Sequence, residues 1–146
     1  MKDVSELFDA RSKKYNDIYS EVNSKRLLHQ EKKVRAEIVK ELVTHYLSEI
    51  NEGVIVDVGC GMGNVLLNLR ESGHKAKMYG IDISQEMIRL ANKNLNQAGY
   101  KNINFSTGTV EDIQVSANMV LSLGVAGYHQ KQEDFLAELF LTLLDL

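Results

Sequence analysis

Three glycines at alternate positions, Gly59, Gly61 and Gly63, stand just behind a carboxylate, Asp57, in the stretch Val54-Ile-Val-Asp-Val-Gly-Cys-Gly-Met-Gly-Asn64. Glycines in a turn let the backbone approach a ligand closely, so a polar ligand can be held between amide N–H groups and a neighbouring acid. A second carboxylate, Asp82, lies in Tyr79-Gly-Ile-Asp-Ile-Ser84. The simplest alternative is a tight turn capped by a strand-end carboxylate. A dinucleotide fingerprint would place its third glycine at position 64, where this chain has Asn64. That spacing disfavours a nicotinamide-dependent dehydrogenase. Cys60 is the sole cysteine, so it forms no internal disulfide, and no CxxC or HExxH spacing offers a metal site. Cys60 reads as a small side chain in the turn, since nothing in its motif activates a thiol. His129, next to Tyr128, carries an imidazole able to take up a proton near neutral pH, set against the plainer reading of an exposed loop histidine. His29, His45 and His74 read as surface residues.

A turn of this kind needs a strand before it and a helix after it. Val54–Val58 (VIVDV) is a β-branched run suited to a strand buried on both faces. Val65, Leu66 and Leu69 predict the helix that follows. A second strand is predicted over 77–83, and Ser84 then suits the N-cap of a helix whose Met87, Ile88, Ala91 and Leu95 share a face and which Gly99 can end. Strands are predicted at 103–107 and 119–123, separated by a loop with Glu111 and Asp112. A turn with Gly124 and Gly127 leads to a final helix over 132–146, with Phe135, Leu136, Leu139, Phe140, Leu143 and Leu144 on one side. Ahead of the glycine turn, apolar residues at three- and four-residue steps predict an amphipathic helix over 25–50, preceded by a more polar, helix-like segment. Strands alternating with helices call for an α/β fold with a mainly parallel sheet.

Composition narrows the function further. With 146 residues, 44% hydrophobic and 25% charged, the chain has the make-up of one globular domain. A net charge of −3 offers no general attraction to phosphate backbones. Residues 1–46 hold ten Lys/Arg and eight Asp/Glu against seven and twelve in 47–146, a difference that reads as a solvated helical face. The N-terminal MKDVSELFDARSKK lacks the apolar stretch of a signal peptide, and no window approaches 18 uninterrupted apolar residues. With the lone cysteine, this predicts a cytoplasmic protein away from membranes. The absence of proline removes cis-Pro turns, PxxP ligands and proline-bearing catalytic loops.

The Asp57-x-Gly59-x-Gly61-x-Gly63 pattern after a strand resembles the first motif of the class I S-adenosylmethionine-dependent methyltransferases. Asp82, nineteen residues beyond Gly63, sits at the family's ribose-binding acid, and Met87 matches a position that packs on adenine. Gly108-Thr-Val-Glu-Asp112 corresponds to the third motif, and 119–127 to the fourth strand and the loop facing the methyl group. A segment like Phe8 to Tyr19, with Tyr15, forms a lid in small-molecule members. The resemblance thus implies a Rossmann-like open sheet, with 1–50 as an N-terminal helical lid segment and 51–146 as the cofactor-binding unit. It implies S-adenosylmethionine as cofactor, with S-adenosylhomocysteine as product, held by Asp57, Gly59, Cys60, Gly61, Gly63, Asp82, Ile83, Met87, Thr109, Val110, Glu111, Asp112, Leu123 and Tyr15. His129 and Tyr128 would face the acceptor, and no metal is implied.

Two departures bear on this reading. Thr109 stands where the family often has the Asp that meets the adenine amino group, leaving Glu111, Asp112 or a backbone carbonyl for that contact. The family sheet has seven strands where this chain supplies four, expected in the order 3-2-1-4, so the fold is expected to be incomplete, with an open edge on the fourth strand. That edge and the final helix would offer a surface for a homo-oligomer. Family members acting on DNA adenine or on glutamine amides use an Asn/Asp-Pro-Pro-aromatic motif where this chain has Ser122-Leu-Gly-Val-Ala-Gly-Tyr128. With the acidic balance, this favours a small-molecule methyl acceptor over nucleic acid. The rival is a domain that binds the cofactor, or a partner protein, without catalysing transfer.

Overall fold

The computed structural model describes residues 27–47 and 53–123. Helix α1 (Leu27–Leu47) precedes β1 (Val54–Val58), α2 (Asn64–Glu71), β2 (Lys77–Asp82), α3 (Gln85–Ala98), β3 (Ile103–Thr107), a 3-10 turn (Val110–Asp112) and β4 (Met119–Leu121). The four strands form one sheet in the order β3-β2-β1-β4. Every pairing is parallel, with Asp57 opposite Gly80 on one side and Leu121 on the other. The chain steps outward from β1 to β3 and then returns to the other side of β1. That reversal opens a crevice beyond the carboxyl ends of β1 and β4, where open α/β sheets take their ligands.

The sequence explains these elements locally. β-Branched VIVDV makes the central strand, buried from Ile55 through Val58. Alternate residues of a strand face opposite ways. Ile55 therefore joins a cluster with Leu66, Leu69, Met78, Ile88, Ala91 and Phe105 beneath the helices, while Val56 and Val58 join Ile81, Val110 and Ala117 on the other face. Helix α3 begins at Ser84, whose Oγ accepts from the Met87 N–H at 3.2 Å. It ends at Gly99, which adopts a left-handed φ of 68° and donates to the Leu95 carbonyl. Both capping expectations hold.

Helix α1 buries only part of the apolar pattern that predicted it. Val39 and Val43 are buried in the core beside α2, whereas Val34, Ile38, Leu42 and Tyr46 are exposed. His74 differs from its surface reading: it is half-buried, and its Nε2 lies 3.0 Å from Thr44 Oγ1, linking α1 to the end of α2. Desolvation, with Arg70 and Lys40 adding to it, lowers the His74 pKa. Strand β2 stops one residue short of Ile83 because Asp82 Oδ1 accepts from the Ser84 N–H at 2.9 Å and turns the chain toward α3. Strand β4 stops at Leu121 rather than Leu123. Its start is clipped to β1 by Asn118, whose N–H donates to the Val54 carbonyl and whose Oδ1 accepts from the Val54 N–H, each at 2.9 Å. The final helix expected over 132–146, the segment ahead of 27, Tyr15, Tyr128 and His129 lie outside the described residues. No helix among the described residues is long and apolar enough to cross a membrane.

Candidate functional site

The glycine turn leaves β1 and doubles back over the end of β2. Gly59 and Cys60 both donate to the Ile81 carbonyl, at 2.8 and 3.1 Å, so the turn is fixed to the strand that carries Asp82. Gly59, Gly61 and Gly63 all have left-handed φ, at 77°, 54° and 78°. Such values cost an L side chain about 1–2 kcal/mol each, which is why an alternating glycine set appears here. Gly63 has a second reason. A Cβ on it would lie 2.4 Å from Phe105 Cζ, and one on Gly80 would lie 2.5 Å from Phe105 Cδ1 and 2.8 Å from Cys60 Sγ. The Phe105 ring therefore occupies the space that two glycines leave beneath the turn. Above Gly61 the situation is reversed, because a Cβ there would meet nothing within 4 Å.

Two carboxylates converge on this turn. Asp82 Oδ2 accepts from the Gly61 N–H at 2.8 Å, and its other oxygen holds Ser84. Both carboxylate oxygens are thereby fixed in place at the end of β2. Asp57 is 1% exposed, and its Oδ1 has no hydrogen-bond partner. Burial first, and the Asp82 charge second, push its pKa up to about 7. The Cys60 thiol is pushed up by burial and by both acids, so it stays neutral and unreactive, and its Sγ donates only weakly to the Gly61 carbonyl at 3.7 Å. A buried carboxyl oxygen without a partner calls for a hydrogen-bond donor, which a ligand bearing a cationic N–H would supply.

The family comparison agrees with this geometry. Residues 51–143 match the methyltransferase domain family. The chain belongs to that family. The ubiquinone biosynthesis O-methyltransferase of Rickettsia felis is 28% identical over 115 residues, covering 77% of this chain and 46% of that protein. An uncharacterized RNA methyltransferase of Oceanobacillus iheyensis is 29% identical over 80 residues, covering 55% of this chain and 17% of that protein. The chain therefore spans less than half the length of these curated relatives. In fold it is similar to the magnesium protoporphyrin IX methyltransferase of Synechocystis PCC 6803, solved with bound SAM, at a TM-score of 0.77 and 21% identity, covering 99% of this chain and 70% of that one.

Within this methyltransferase domain the structure brings Asp57, Gly59, Cys60, Gly61, Gly63 and Asp82 together at one turn. Ile83, just beyond Asp82, is 39% exposed, an apolar surface beside the carboxylate. Met87 is buried against Met62 and Leu90. The third-motif residues divide by role. Val110 is buried among Val56, Val58 and Ile81, Glu111 is exposed, and Asp112 is tied to its own turn, its Oδ2 accepting from the Thr109 N–H at 2.8 Å. Asp112 thus completes a capping box with Thr109. Leu123 packs against the helix-covered cluster. Phe105 and Asn118 position the site without a motif to announce them. Ser122, at the carboxyl end of β4, carries a buried Oγ without a partner. A cavity of about 320 Å³ lined by Glu37, Lys40, Asn68, Glu71 and Ser72 lies between α1 and the carboxyl end of α2. By chain direction that places it at the amino-terminal edge of the sheet, away from these groups.

Proposed function

We propose that this domain binds S-adenosylmethionine over the glycine turn and supports methyl transfer to a small-molecule acceptor. The observation that carries the reading is the pairing of an open, left-handed Gly61 with Asp82, which grips the Gly61 amide. Gly61 leaves room for a ligand to lie against backbone, and the Asp82 carboxylate beside it is an acceptor suited to ribose hydroxyls. Asp57 offers its unanswered oxygen to the ammonium end. Ile83 and the Thr109–Asp112 turn bound the adenine side, where Thr109 replaces an acid.

The bound cofactor would supply an activated methyl group on a sulfonium, so the protein's task is alignment, exclusion of water and, for an OH or NH acceptor, removal of a proton. Tyr128 and His129 are assigned to that last task on their position beyond β4. Residues 51–146 form the cofactor unit in this reading, and 1–50 the preceding helical segment. The net charge of −3 and a relative named for ubiquinone biosynthesis support a small acceptor, while a relative named as an RNA methyltransferase keeps RNA as the second reading.

Titration calorimetry tests the first step. S-Adenosylmethionine and S-adenosylhomocysteine are expected to bind, NAD is not, and Asp82→Ala should weaken binding at least about tenfold, or about 1.4 kcal/mol. Binding of NAD alone would refute the cofactor assignment. An acceptor panel that includes ubiquinone precursors and RNA, read by S-adenosylhomocysteine release, separates the two acceptor classes.

A further inference from the structure

Asp57 lacks what a buried carboxylate ordinarily requires. Its Oδ1 is unpartnered, its side chain is shut away from water, and the charge acting on it is another carboxylate, Asp82. Nothing described around it compensates. Its neighbour across β2 is Gly80 and across β4 is Leu121. The Cys60 thiol in the turn is held neutral. The first turns of α2, Asn64 to Leu69, carry no ionisable side chain. On α3, Glu86 and Arg89 are paired to each other at 2.6 Å near the surface. A bare carboxylate enclosed in this way would be an uncompensated buried charge, so the group keeps its proton. The same enclosure makes it responsive to a cation brought next to it, and the strand that carries Asp57 leads directly into the turn where Gly61 is open.

We propose that Asp57 is a neutral acid in the free protein and gives up its proton when a ligand's ammonium group settles over the glycine turn, so that cofactor uptake releases a proton to solvent. The inference rests on the cofactor reading above. The balance is simple: carboxylic acid plus ligand ammonium become a carboxylate–ammonium ion pair and one solvated proton, with no covalent bond made or broken outside the O–H. Below the pH at which Asp57 ionises in the free protein, affinity for an ammonium-bearing ligand rises about tenfold per pH unit. Above it, affinity levels off. Since burial and the Asp82 charge push the Asp57 pKa up to about 7, the change falls within the range of neutral buffers.

The test compares S-adenosylhomocysteine with 5′-methylthioadenosine, which keeps the adenine, ribose and thioether but lacks the amino-acid end. Both are titrated by calorimetry from pH 5.5 to 8.5 in pairs of buffers with different ionisation enthalpies, so that proton release is read directly. The expected result is about one proton released per S-adenosylhomocysteine at pH 6, falling toward none above pH 8. Methylthioadenosine should release none and bind with little pH dependence. Asp57→Asn should bind S-adenosylhomocysteine without proton release. Binding of S-adenosylhomocysteine at pH 6 with no proton released, or equal release by both ligands, would overturn the inference while leaving the cofactor reading intact. If neither nucleoside binds, the cofactor reading itself falls, and this inference with it. The two-ligand comparison needs only the parent protein, so it stands even where the Asn variant fails to fold.

Discussion

Gly61 and Gly63 lie two residues apart in the same turn with similar backbone angles, yet alanine at each should fail in a different way. At Gly61 the φ of 54° costs an alanine about 1–2 kcal/mol, and its methyl meets nothing within 4 Å. The Gly61 N–H bond to Asp82 survives the change. Loss of folding stability should therefore stop near that strain. At Gly63 the same strain is joined by a clash, because the methyl would sit 2.4 Å from Phe105 Cζ and the ring cannot retreat toward Gly80, which it already crowds. Overpacking of a buried site adds about 1–3 kcal/mol, for about 2–5 kcal/mol in all. Ligand binding should show the opposite ranking relative to stability. Gly61→Ala places its methyl in the open space where the cofactor would lie, and should lose at least about tenfold in S-adenosylhomocysteine affinity, about 1.4 kcal/mol, while remaining folded. Urea denaturation reads the first quantity and titration calorimetry the second. Equal stability losses at the two positions would refute the packing argument. Undiminished affinity in a folded Gly61→Ala would refute the placement of the ligand.

Three further outcomes follow from the same geometry. The Asp57 pKa of about 7 exceeds the 3.8 of an unconstrained aspartate, so the native state binds more protons between those values. Its contribution to stability is therefore complete below pH 4 and declines as pH rises to about 7, by up to about 4 kcal/mol at about 1.4 kcal/mol per pH unit, and denaturation at pH 5 and 8 should show Asp57→Asn with a shallower decline than the parent. An identical pH slope in the two proteins would count against a protonated Asp57. Phe105→Ala should cost about 3–5 kcal/mol by denaturant unfolding, since the ring fills the space below both Gly63 and Gly80. Ser84→Ala removes the cap of α3 and should cost about 0.5–2 kcal/mol, read as a lower thermal midpoint; no change would mean another group satisfies the Met87 amide.

Much of the architecture was legible because it depends on local signals. A compact β-branched run marks a strand buried on both sides, Ser84 and Gly99 bracket α3, and the glycine spacing with Asp57 and Asp82 identified the turn. The order β3-β2-β1-β4 came from the family resemblance, and the structure has it. What escaped were contacts between residues distant in sequence. Nothing near Phe105 signals that it fills the space beneath Gly63 and Gly80, nor does anything near Asn118 signal a two-bond clip to Val54. Helix α1 shows the same limit in another form. Its three- and four-residue apolar steps predict a helix, but only packing against α2 decides that Val39 and Val43 are the residues buried. Asp112 illustrates competition for a side chain: an acid that the family resemblance offered for the adenine contact is engaged in capping its own turn.

The Phe105 wedge carries an evolutionary consequence. Because Gly80 has no left-handed angle to protect, the ring and the Cys60 sulfur are what hold it at glycine. Positions 63, 80 and 105 should thus be inherited as a linked set. A lineage that trades the phenylalanine for a smaller residue removes the nearer of the two contacts that bar alanine at 80, leaving the Cys60 sulfur at 2.8 Å, and a lineage that keeps the ring keeps both. Introducing Gly80→Ala together with Phe105→Leu, and finding the pair milder than the sum of its parts, would recreate that dependency in a single protein.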